Sequence, residues 1–451
     1  MKKIKKTFFI AIATIGLIAS TNAQSKEGSL EVKYRRSSLH TILVETDYFP
    51  RKETVIKAYN KAPFPNNYND HTISAESFDP KKYPVLASER SERDQKNHEA
   101  AAQMASSFNI AAATKGIIDP DANDLPISIN KFFNDAKVAN LLVAKWYNRK
   151  PDGSFDMDLI GSRGFYNASE MEANIGKSSA RGLASISDAG EELINNTFVV
   201  VSKLNFISNE IAAAKIRDLA KDAAAKIGNE FFKKLALDAA DKTYQKTKEG
   251  YSVLTTSFLY QLVWNDSIAA VFYNDLWMDK NKIDPKKKEA FDNTHLFKLK
   301  YIGTEGSVSI VLFSLKEKRT EDQIIELATI RNVDAVFAKL QKKYDVFKPK
   351  VPLYTGNPIT AKIGMKEGLE GGEKFEVFEQ TIDEKTGLTK YVSKGKITVD
   401  KNLIWDNRYN ASDGPAELPS TVGEASKPVL DRTTFKGGKD YYSGMLIRQI
   451  K

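Results

Sequence analysis

The sequence changes character at Lys348-Pro349-Lys350-Val351-Pro352. Two prolines within four residues interrupt any regular hydrogen-bond ladder. Upstream, helical spacing and strand-like runs alternate. Downstream come short strands, glycine turns and almost no helix. This predicts a boundary near residue 348, with a main domain over 24–347 and an all-β carboxy-terminal domain over 348–451. The most regular downstream piece is 359–378: an alternating strand, then Gly364, Gly368, Gly371 and Gly372, then Lys374-Phe375-Glu376-Val377-Phe378. Glycines at turns between alternating strands predict a small barrel or compact sandwich.

For the upstream part the pattern predicts a mixed α/β domain, giving an α+β chain overall. Its centre is 139–206, read as a β-turn-β-α-β unit. Leu141-Leu142-Val143-Ala144-Lys145-Trp146-Tyr147 is an apolar strand candidate, and Pro151-Asp152-Gly153 is a turn. A second strand through Leu159-Ile160, helical segments over 169–195 and a strand at Phe198-Val199-Val200-Val201 complete it. Residues 207–249 form the strongest helical stretch, a long excursion in which Ile211, Leu219, Ala223, Ile227, Phe231 and Leu235 lie on one face, with a break near Gly228-Asn229. That stretch carries nine basic and seven acidic residues, a small excess that favours a solvated face over membrane docking.

The aromatic-rich 251–278 reads as two β segments around Asn265-Asp266, packing as core in preference to a sugar-stacking platform. Two further strands are expected at 296–302 and 308–315. Thr320-Glu321-Asp322-Gln323 is a capping box opening a helix, and Asn332 is placed to cap a second one.

The amino-terminus reads as export machinery. Lys2, Lys3, Lys5 and Lys6 precede an apolar core from Phe8 to Ile18, and the small residues before Ala23 suit cleavage, so 1–23 is read as a signal peptide. Its core is shorter than the roughly 20 residues of a bilayer span. Removing the four lysines lowers the formal net charge from +9 to +5, with both signs interleaved. That is a mild basicity naming no anionic partner, and nucleic acid is not expected in an exported compartment. No transmembrane helix is expected after cleavage. The chain has no cysteine, so it cannot form disulfides or a lipid-modified amino-terminal cysteine. These features place it in the periplasm or against the outer membrane.

Thiolate chemistry is excluded. The four histidines, His40, His71, His98 and His295, lack the spacing of a helical zinc site, and no metal or cofactor is expected. The run Asp119 to Asp124 begins like a calcium loop but has Asp124 where glycine is required. Gly176-Lys177-Ser178 lacks the earlier glycine of a phosphate loop, since Met171 stands there. Carboxylates remain. On a strand Asp156 and Asp158 would share a face, and Asp188, Glu191 and Glu192 fall within one helical turn. The simpler reading puts all of them on wet faces.

Gly161-Ser162-Arg163-Gly164-Phe165-Tyr166 is read as a loop between strand and helix, where Arg163 would clamp a carboxylate or phosphate or, the preferred reading, tie Asp156 or Glu191 internally. Arg163, Tyr166, Asp156 and Asp158 are therefore the candidate ligand-binding residues.

Ile363-Gly364, Gly368-Leu369 and Gly372-Glu373-Lys374-Phe375 resemble the glycine spacing of small carboxy-terminal β domains in several envelope-associated proteins, a flagellar-assembly protein among them. The resemblance implies a binding or scaffolding module and carries over no catalytic residue. Leader and composition likewise look like exported Gram-negative envelope proteins. The expectation is an envelope-associated binding, adaptor or structural protein in preference to an enzyme, with an envelope protein or glycan as partner. The alternatives are a carboxylate-dependent hydrolase acting on glycans and a surface-displayed protein with a carboxy-terminal sorting domain.

Overall fold

In this computed structural model the described residues are 34–47, 49–96, 98–99, 123–166, 192–248, 250–312, 320–382, 389–409, 430–438 and 440–450. The expected leader, most of the helical stretch over 169–195 and the Gly176-Lys177-Ser178 run lie outside them.

A six-stranded mixed sheet organises the first part. Strand β1 (Ser38–Val44) pairs in parallel with β2 (Asn69–Asp70), β3 (Ser77–Phe78) and β4 (Thr197–Ser208). Strands β5 (Gly250–Leu262) and β6 (Leu299–Leu312) extend it antiparallel from β4. Period two divides these strands between two cores. Ile42, Val44, Val199, Val201, Phe258 and Tyr260 face one of them. Leu39, Leu43, Phe198, Val200, Val253 and Leu259 face the other. Burial on both faces explains why β4 opens with an unbroken apolar run.

Helix α1 (Lys52–Lys61) contributes Val55 and Tyr59 to the second core. The first core is roofed by α2 (Leu125–Asp135), α3 (Val138–Trp146) and α4 (Asp158–Tyr166). Two of these helices correct the β-turn-β-α-β expectation. Leu141 to Tyr147 is no strand: Val138, Leu142, Val143 and Trp146 recur at helical steps and are all fully buried. A helix apolar on nearly every side lacks the polar stripe that announces a helix. Leu159-Ile160 likewise lies in α4.

Only the first aromatic segment, β5, is a strand. The second is α7 (Asp266–Val271), continuing into a π-helical turn over Phe272–Leu276. Phe272 and Trp277 pack with Tyr147, Phe155 and Phe291 as core. Helix α8 (Pro285–Asn293) supplies Phe291. The two strands expected around Gly303 are one, β6, with a bulge opposite Leu259/Tyr260. Gly303 is required there because a Cβ would collide with the Tyr344 ring.

Between β4 and β5 runs the helical excursion, a hairpin of α5 (Asn209–Ala225) and α6 (Glu230–Thr247). Asn229 caps α6 through its Oδ1, which accepts from the Phe231 and Phe232 amides at 3.0 and 3.3 Å. The second core is closed by α9 (Glu321–Lys343), whose capping box is formed by Thr320 and Gln323 as expected. Asn332 caps nothing. It is fully buried mid-helix, its Nδ2 donating to the Val253 carbonyl at 2.5 Å.

The carboxy-terminal part is a closed six-stranded antiparallel barrel. Its strands are β7 (Val351–Gly356), β8 (Ile359–Ala361), β9 (Lys374–Ile382), β10 (Thr389–Val399), β11 (Thr433–Lys436) and β12 (Leu446–Gln449), in the order β10-β11-β8-β7-β12-β9. Val351, Leu353, Phe375, Val377, Ile397 and Ile447 fill it. Gly371 and Gly372 take positive φ values of 110° and 93°, which is what the glycine spacing provides. The chain is α+β, with a mixed-sheet part carrying the helical hairpin and a barrel at its end.

Candidate functional site

Arg163 lies on α4, on a helix and not in a loop after a strand, and its guanidinium reaches the edge of the sheet where β1 starts and β2 ends. Nη1 donates to His71 Nδ1 at 2.9 Å and to Ser38 Oγ at 3.4 Å, and Nη2 donates to the Asp70 carbonyl at 2.6 Å. The guanidinium carbon stands 4.8 Å from the Trp146 ring, and His71 stacks on that ring at 4.8 Å. His71 Nε2 donates to the Leu142 carbonyl at 2.9 Å. Its Nδ1 is therefore free to accept from Arg163, which fixes the neutral tautomer. Burial first, then the Arg163 charge, holds the His71 pKa well below its usual value.

Lys145 lies close by, with its ammonium donating to the Thr72 carbonyl. Burial lowers the pKa of Lys145, and burial brings Arg163 down to about 10, with Asp70 opposing in both cases. The Asp70 carboxyl, raised by burial but bonded by Thr72, ends below its ordinary value. Two protonated cations thus share one nearby carboxylate, and carbonyl oxygens complete their coordination. This arrangement pins α4 onto the sheet edge. The internal tie expected for Arg163 exists, and its described partners are His71, Ser38 and Asp70 in place of Asp156.

The structure does not gather Asp156 and Asp158 around Arg163. Asp156 accepts from Asn148 Nδ2 at 2.9 Å, lies 3.3 Å from the Lys150 ammonium, and accepts the Asp158 amide at 3.1 Å. Asp158 is exposed on the first turn of α4. The two do not share a strand face, because no strand is there. The side chain of Tyr166, together with Asp188 and Glu191, lies outside the described residues. Among the described residues no three His, Asp or Glu side chains gather as metal ligands. Nor is any described helix long and apolar enough to cross a membrane.

Two groupings escape a reading of the sequence. At the contact of α9 with the barrel, Asp334 stands 3.6 Å from Lys366, both side chains being 11% exposed. Glu367 accepts the Gly364 amide at 2.7 Å and Asn407 Nδ2 at 2.9 Å. Burial pushes Asp334 up to about 6 and raises Glu367 as well. The cavity beside Glu367, lined also by Gln341 and Leu369, holds about 30 Å³. That is room for about one water and none for a sugar.

The second grouping is the tip of the α5–α6 hairpin. Phe231, Phe232 and Leu235 are 73%, 57% and 58% exposed, so Phe231 and Leu235, placed by their spacing on one apolar helix face, meet solvent. Among the described side chains of the hairpin Ala213, Ala224 and Ala240 are buried, and Lys221 to Asp241 at 2.7 Å and Tyr244 to Glu210 at 3.1 Å join the two helices.

No protein-family model and no curated protein matches this chain. The chemistry legible in it is therefore that of its own side chains. Around Arg163 the polar groups are largely engaged within the fold, whereas the apolar side chains at the hairpin tip meet solvent.

Proposed function

We propose that this is an exported, envelope-associated adaptor that docks through its helical hairpin. The observation that carries the reading is the exposure of Phe231, Phe232 and Leu235 at the far end of an insertion that α5 and α6 stabilise largely by packing on each other. Exposed apolar groups clustered in this way mark interaction sites on folded proteins. The glycan-hydrolase alternative gains no support from the raised carboxyls, since Glu367 lies beside a cavity too small for a sugar and Asp334 is paired with Lys366.

Strands β4 and β5 make the test clean. Ser208 and Tyr251 are cross-strand partners, so residues 209–250 can be replaced by Asn-Gly, the sequence of a two-residue turn between antiparallel strands. Cell fractionation should find the parent chain with the envelope and the shortened chain in the soluble exported fraction. A shortened chain that stays with the envelope, or a parent that never leaves the cytoplasm, overturns the proposal.

A further inference from the structure

We infer that the hairpin tip seats on an anionic phospholipid bilayer, with Phe231, Phe232 and Leu235 entering the headgroup boundary and Lys226, Lys233 and Lys234 remaining among the phosphates. The inference rests on the adaptor reading and names its partner.

Charge placement carries it. Over 207–249 the basic and acidic residues nearly cancel, but they are not spread evenly. Residues 226–235 hold three lysines and one acid, Glu230, which leaves six of each sign in the rest of the hairpin. The whole cationic excess of the excursion therefore sits beside its exposed aromatic residues. Lys226 and Lys234 are exposed, while Lys233 is half-buried and shared with Glu230 at 3.3 Å. Phe and Leu flanked by Lys is the composition that settles at a lipid–water boundary, where the ammonium groups reach back to the headgroups.

Shape points the same way. At about 1.5 Å per residue, the seventeen residues of α5 span roughly 25 Å between the end of β4 and the tip. Phe231 and Phe232 meet edge to face at 5.6 Å, so they form one convex knob. A deformable bilayer accepts such a knob without a preformed groove. A second copy of the chain is a poor occupant, because facing tips would bring six ammonium groups together around two carboxylates.

The absence of native cysteine allows a direct measurement. A Cβ at Gly228 meets nothing within 4 Å, so Gly228→Cys can carry an environment-sensitive nitrobenzoxadiazole fluorophore at the tip. Vesicles of phosphatidylcholine with phosphatidylglycerol should shift its emission to the blue, and phosphatidylcholine alone should not. Adding Phe231→Ser and Phe232→Ser should abolish the shift, with circular dichroism and unfolding unchanged because both rings are exposed. Lys226→Gln with Lys234→Gln should weaken vesicle binding at least about tenfold, as should high salt.

No shift on anionic vesicles at low salt overturns the inference, as does equal binding by the double-serine chain. A shift that follows protein concentration without vesicles assigns the tip to self-association and also overturns it. If the fluorophore stays silent while the shortened chain still leaves the envelope, the lipid inference falls and the adaptor reading stands. If the shortened chain also stays, both fall.

Discussion

At the scale of single residues, Arg163 shows how a cation in a cluster becomes a strut. Its bonds to His71, Ser38 and the Asp70 carbonyl favour the folded chain, while its desolvation and the neighbouring Lys145 oppose it. Bonds to charged groups contribute about 1.5–3 kcal/mol each, and leaving a buried acceptor unpaired costs about 1–3 kcal/mol. The bonds outweigh the opposing terms, so Arg163→Ala should destabilise the chain by about 1–2 kcal/mol in urea unfolding. Arg163→Lys should not restore it, because an ammonium lacks the fork that spans the ring nitrogen and the carbonyl. A change under about 0.5 kcal/mol for the alanine variant would remove Arg163 from any structural role. An internal tie for Arg163 was anticipated, although the loop between strand and helix on which that expectation rested is a helix. Its partner His71 was not, because the two are 92 residues apart and only the sheet edge brings them together.

At the scale of elements, the signals that survived are those written into local chemistry. Thr320 and Gln323 exchange side chain and amide at the start of α9, at 2.9 and 3.3 Å, so the capping box was readable from four residues. Thr320→Ala should cost about 1 kcal/mol, read as a lowered unfolding midpoint with the denaturant slope unchanged. An unaltered midpoint would mean that the packing of α9 alone holds its first turn. The hairpin break at Gly228-Asn229 was readable for the same reason, since Asn229 is the cap of α6. What could not be read were α3 and α4. A nine-residue helix buried on nearly all sides and a nine-residue strand buried on both faces present the same unbroken apolar run. Taking 141–147 as a strand turned Asp156 and Asp158 into a hairpin pair, whereas Asp158 opens α4 and Asp156 lies just before it. Spacing shows which residues share a face but not whether anything covers it: Phe231 and Leu235 meet solvent, and the side chains of Ile211 and Leu219 lie outside the described residues.

At the scale of the whole molecule, two groups of buried titratable side chains oppose each other in acid. His40 and His71 lie at the sheet edge, and burial holds His40 down at about 4 against an ordinary value of 6.5. A depressed folded pKa gives stability that is present above pH 6.5 and is lost as pH falls toward the folded value. Asp334, where α9 meets the barrel, behaves in the opposite sense. Its pKa is raised from 3.8 to about 6, chiefly by burial, with the Lys366 ammonium opposing and Glu367 reinforcing. Its contribution is fully present below pH 3.8 and is lost as pH rises through 6. Glu367, raised by burial, adds in the same direction. Between pH 4 and 6 acidification thus weakens the sheet edge while it strengthens the contact of α9 with the barrel, and the two effects partly cancel in the intact chain. Asp334→Asn removes one side of that balance. Relative to the parent, the variant should lose up to about 3 kcal/mol of stability as pH falls from 7 to 4, measured by urea unfolding at several pH values. Parallel pH profiles for parent and variant would show that Asp334 titrates in the folded chain as it does in the unfolded one, and that the barrel is joined to α9 without a proton held between them.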